Sequence, residues 1–145
     1  MEGKAALLGF TVFLLFSLIV VGAYVAAGGF GEACGSAVPA DWPLCNGSLV
    51  PPPNFSAIVE YTHRILAAFS TLFLLITTVA YWRGESASSP ATRALAIATL
   101  LVLLQVVLGG LVVAQELEAP LVALHQAVAI LVFGFSVAAL AFGAG

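Results

Sequence analysis

Four apolar stretches, near residues 5–27, 57–82, 92–114 and 120–143, are each long enough to cross a bilayer. About 20 residues of helix span a hydrocarbon core of roughly 30 Å. Within lipid a spanning backbone must satisfy its own hydrogen bonds, which leaves helices or closed barrels. Long apolar runs without alternation point to helices. The expectation is an all-α membrane protein: a four-transmembrane-helix bundle in a single domain, residues 1–145, with one long connection at 28–56. Composition agrees, with 62% hydrophobic and only 8% charged residues, far from the balance of a soluble domain. The first stretch follows Lys4 and ends in small residues, as a signal peptide does, but its apolar run is longer than the usual h-region. It reads as a retained helix.

Lys and Arg orient the bundle. Lys4 precedes the first helix, and Arg83 and Arg93 flank the short link between the second and third. The positive-inside rule puts both termini and that link in the cytoplasm of a plasma-membrane protein. The connections at 28–56 and near 115–119 then lie outside, and neither carries Lys or Arg. A net charge of −3 with four basic residues excludes a nucleic-acid partner.

Both cysteines, Cys34 and Cys45, fall in the long outside loop. An oxidising compartment and an even count predict a disulfide between them. The sequons at Asn46 and Asn54 agree with an exposed loop.

The two histidines carry the strongest chemical signal. His63 lies early in the second helix and His125 early in the fourth. Both helices enter from the outside, so both imidazoles sit about 10 Å below the outer helix ends. Ionisable groups within a membrane are costly and usually functional. A shared ligand is one reading of the pair; two separate polar contacts are the other. Zinc wants three or four protein ligands, and only Glu60 could add one here. Haem iron needs two axial ligands, and imidazole is a common one. Gly109 and Gly110 on the third helix would let a macrocycle, or another helix, come close.

Glu60 and Arg64 flank His63. Each would cost about 2.5–3.5 kcal/mol at a bilayer centre. Glu60 stands three residues before His63, on nearly the same helix face, and Arg64 stands four after Glu60. They can form an ion pair. Alternatively Arg64 holds a haem propionate while Glu60 acts as a base at the macrocycle edge. Glu-x-x-His is also a di-iron spacing, but His125 has Val122 in the corresponding place.

With these residues in view the chain resembles the haem A synthase family. The matching motifs are "DWPLCNG" at 41–47, "EYTHR" at 60–64, "QVVLGGLVV" at 105–113 and "LHQ" at 124–126. The resemblance implies oxidation of the C8 methyl of haem O to the formyl of haem A, for terminal oxidases. It implies His63 and His125 as haem iron ligands, Glu60 as the catalytic carboxylate, and Cys34 and Cys45 as the loop pair. Family members carry eight helices in two tandem halves, one binding substrate haem and the other a haem b cofactor. This chain resembles the first half, so a homo-oligomer, a dimer or a larger ring, would restore two sites. A haem O synthase and an electron donor are the implied partners. The alternative function is a non-catalytic bis-histidine b-type cytochrome for electron transfer or haem carriage. A pure carrier needs neither Glu60 nor the cysteine loop.

Overall fold

The computed structural model describes residues 2–143. The four apolar segments form four helices: α1 (Glu2–Gly28), α2 (Phe55–Gly84), α3 (Pro90–Ala114) and α4 (Ala119–Gly143). All four are long and apolar enough to cross a membrane. Local chemistry sets their ends. α1 stops at a glycine pair, where Gly29 takes φ +66° and the Phe30 N–H reaches back to the Val25 oxygen at 3.0 Å, a left-handed stop. Asn54 caps α2, its side chain accepting the Ala57 N–H. Ser89 caps α3 through the Thr92 N–H, with Pro90 in the first turn, where its missing N–H costs nothing. Between α3 and α4, Glu116 and Leu117 both take left-handed φ values of 50° and 60°.

Short links at residues 85–89 and 115–118 make α2–α3 and α3–α4 antiparallel neighbours. Among the described residues α1 touches α2 and α4, and α3 touches α2 and α4, while neither diagonal pair touches. The bundle is thus a ring of four around a central axis. Packing is most extensive within α3–α4 and α1–α2 and thinner along the α2–α3 and α1–α4 seams. Two helical hairpins lie side by side.

The bundle has a loop end and a basic end. At the basic end Lys4 packs against Gly84 and sits 5.9 Å over the Tyr81 ring. The main core lies in this half: Leu8 and Leu15 of α1, Leu74 and Tyr81 of α2, Leu95 and Val102 of α3, Val132 and Ala139 of α4. Hydroxyl pairs tie its helices together, Thr11 to Thr77 and Thr78 to Thr99, each at 2.8 Å. Large apolar side chains such as Phe13, Phe16, Leu100 and Ile130 point outward, as a lipid-facing surface requires.

At the loop end the connection between α1 and α2 folds back over the helices. Cys34, Cys45 and Ala57 form a small, fully buried cluster, with Tyr61 against it. Leu117 of the α3–α4 link packs on Gly31, and Trp42 stacks over Gly110 of α3. The loop therefore touches both hairpins.

Candidate functional site

Glu60 is almost completely buried, 2% exposed, one turn inside α2. The protein engages both of its oxygens. Oε2 accepts the Cys34 main-chain N–H at 2.8 Å, and Oε1 pairs with Nη2 of Arg64. Arg64 in turn donates through Nη1 to the main-chain oxygens of Asp41, at 2.8 Å, and Leu44. Of the two arrangements open in the sequence, the ion pair is therefore formed. A guanidinium has five N–H donors, and the pair and the two carbonyls use three. Two remain.

Cys34 and Cys45 are joined by a disulfide, and both are fully buried. The bridge lies directly above Glu60, because Cys34 is the residue whose N–H holds the carboxylate. The Asn46 N–H bonds the Cys34 oxygen at 2.8 Å, and Cys45 and Ser48 exchange two bonds at 3.0 Å. This tight turn presents the loop carbonyls to Arg64.

His63 and His125 lie on α2 and α4, the two helices that face each other across the axis without touching. Each ring rests against a glycine of its own hairpin. A Cβ at Gly22 of α1 would lie 2.8 Å from Cε1 of His63, a clash, and one at Gly109 of α3 would lie 3.4 Å from Cε1 of His125. Nδ1 of each ring is buried without a hydrogen-bond partner. The rings themselves are only partly buried, which leaves the Nε2 edge as the accessible one. Two further buried polar atoms in the interior have no partner, Oγ of Ser70 and Oε1 of Gln105. Ser70 follows His63 by two turns on the same face of α2.

Such a set of orphaned atoms is unusual, since buried polar groups are nearly always paired. It fits a planar, iron-bearing macrocycle. Two imidazoles offer accessible nitrogens, and glycines lie behind both rings. No group of three or more His, Cys, Asp or Glu able to hold a bare metal ion occurs among the described residues. Two apolar clefts, of about 390 and 210 Å³, lie instead on the α1–α2 face. Neither is lined by His63, His125 or Glu60.

Gln105, Gly22 and the carbonyls of Asp41 and Leu44 were given no role from the sequence, although Gln105, Asp41 and Leu44 lie within the matching motifs. Gln105 had a signal: it is the only amide in α3, one turn before Gly109. Gly22 is one of 14 glycines, and nothing around it in the sequence marks His63 as its neighbour. Main-chain carbonyls carry no sequence mark at all.

Fold and site together define a multi-pass membrane protein with one histidine on each of two diagonal helices and a disulfide-closed cap over one end. The cytochrome oxidase assembly protein family COX15-CtaA matches residues 2–137, and the chain belongs to that family. It is 34% identical to the heme A synthase of Bacillus pumilus over 124 residues, 85% of this chain and 39% of that protein. It is 31% identical to the heme A synthase of Symbiobacterium thermophilum over 134 residues, 92% of this chain and 42% of that protein. The protoheme IX farnesyltransferase 1 of Natronomonas pharaonis is 38% identical over 140 residues, 97% of this chain and 28% of that protein. The chain thus spans about two fifths of the length of the heme A synthases it matches. No solved structure matches.

Proposed function

We propose that this chain is an oxidoreductase of the haem A synthase type, converting the C8 methyl of haem O to the formyl of haem A for terminal oxidase assembly. The observation that carries the reading is the pair of opposed imidazoles, each set against a glycine and each with a buried, partnerless Nδ1. Family membership and the relatives named heme A synthase support it.

In this reading Nε2 of His63 and of His125 hold the haem iron, and the bound haem supplies redox chemistry that no side chain has. Glu60 is the catalytic carboxylate. The Cys34 N–H and Arg64 fix its position, and each oxygen keeps a lone pair able to take a proton. Oxidising a methyl to a formyl releases protons, so a fixed acceptor near the reacting edge is what the reaction needs. The two unused N–H groups of Arg64 are available to a propionate. The cap over the loop end limits water at the site. An oxygen donor, water or dioxygen, and an electron-transfer partner complete the oxidation.

A homo-oligomer, with a dimer the simplest form, would place a haem b cofactor and a substrate haem in two copies of one site. The bundle would sit in the plasma membrane with its loop end outside, as Lys4, Arg83 and Arg93 at the other end direct. The farnesyltransferase relative supports a haem O synthase as working partner, since farnesylation of protohaem yields the substrate proposed here.

The test is expression with a supply of haem O, followed by pigment extraction and mass analysis. Haem A is the expected product. Bound haem with no trace of conversion, in protein supplied with an electron partner, would instead mark a bis-histidine carrier.

A further inference from the structure

Gln105 lies on the same face of α3 as Gly109, whose backbone backs the His125 ring. Its Nε2 donates to the main-chain oxygen of His125 at 2.8 Å. A carbonyl oxygen can only accept, so this bond decides the amide orientation: the NH₂ faces α4, and the oxygen is the free atom. That oxygen is buried with no partner, and so is Nδ1 of His125. One orphaned acceptor and one orphaned ring nitrogen therefore belong to two residues already bonded to each other.

Metal chemistry supplies the missing step. An imidazole that binds a metal through Nε2 carries its proton on Nδ1, which becomes a donor in need of an acceptor. We propose that Gln105 is the outer partner of His125: its Oε1 accepts the Nδ1 hydrogen when Nε2 engages the iron. Gln105 is then a positioning residue that holds the His125 side chain and main chain together. The inference rests on the reading of His63 and His125 as ligands.

The same arrangement makes the two ligands unequal. His63 rests on Gly22, and among the described residues no side chain bonds its Nδ1. A ring whose N–H is held by an acceptor is the more basic ligand, so His125 is the stronger electron donor. Stronger donation favours ferric iron and lowers the reduction potential.

The experiment uses the full chain purified with haem. Redox titration and low-spin electron paramagnetic resonance are recorded for wild type, Gln105→Met, Gln105→Asn and Gln105→Glu. Met keeps the length and replaces the amide oxygen by a much weaker acceptor, and Asn is too short to reach, so both are expected to raise the midpoint potential and shift the resonance. Glu keeps an acceptor oxygen and is expected to stay at or below the wild-type potential. Equal potentials in wild type, Gln105→Met and Gln105→Asn, with haem bound in each, overturn the assignment of Gln105. His125→Ala in the same series separates the two layers. If it leaves the spectrum untouched, the ligand reading itself is wrong.

Discussion

The two ends of this bundle solve different problems. The basic end is closed: Leu8, Leu74, Leu95 and Val132 fill it, and its hydroxyls pair across helices or bond their own backbone. The loop end leaves Nδ1 of each imidazole and an amide oxygen buried without partners, with the Ser70 hydroxyl a further one at mid-bundle, and it buries a carboxylate under a cap. A chain selected only to pack would treat both ends alike. The difference separates a half held by apolar packing from a half held by a disulfide and a buried ion pair, with unpaired polar atoms beside them.

That contrast can be broken most sharply at the histidines. His63→Ala or His125→Ala is expected to abolish the low-spin spectrum of the purified protein while helix content and the packed basic end persist. Leu74→Ala at the closed end is expected to do the reverse, costing about 2–5 kcal/mol of stability with the spectral shape unchanged. Collapse of the fold in both histidine variants would end the division of labour.

Arg64→Leu comes next. It strands the Glu60 carboxylate and two loop carbonyls in a buried setting, and removing one partner of a buried pair costs about 3–5 kcal/mol. The loss should appear as proteolysis or hydrogen exchange in the loop first, with α3 and the basic end still protected. Uniform loosening along the whole chain would contradict it.

Reducing the Cys34–Cys45 bridge, or replacing both residues by serine, is expected to cost about 3 kcal/mol for a loop of this size. The effect should stay at the loop end, read by thermal denaturation with thiol labelling. Labelling of both thiols in protein kept from reductant would show that the bridge is absent.

The smallest effect is expected at the closed end. Thr11→Val with Thr77→Val removes both partners of one interhelical bond and keeps the shape. Such bonds average about 0.6 kcal/mol in membrane proteins. A loss of several kcal/mol, measured by unfolding in detergent, would mean that the closed half depends on polar contacts rather than packing.

Much of this was legible in the sequence, because the bilayer imposes a simple grammar. Apolar run length fixed the four helices, and the strings around Asn54 and Ser89-Pro90 carry their capping chemistry openly. The matched depth of His63 and His125 follows from helix rise alone. What stayed hidden depends on main-chain atoms and close approach. That Arg64 would be held by the oxygens of Asp41 and Leu44 depends on how a loop of some two dozen residues folds back. That Gly22 lies behind His63 depends on helix rotation, which an apolar α1 with no marked polar face does not announce. Gln105 was visible as a lone amide, yet its partner could not be read without knowing which face of α4 it meets.

The hairpin pairing has one further consequence. His63 with Gly22 belongs entirely to the α1–α2 hairpin, and His125 with Gly109 and Gln105 entirely to α3–α4. Each hairpin is therefore half a clasp, complete in itself and idle alone. A ligand held by both imidazoles would work as the pin of that clasp, converting its own binding energy into adhesion between the hairpins along the thin seams.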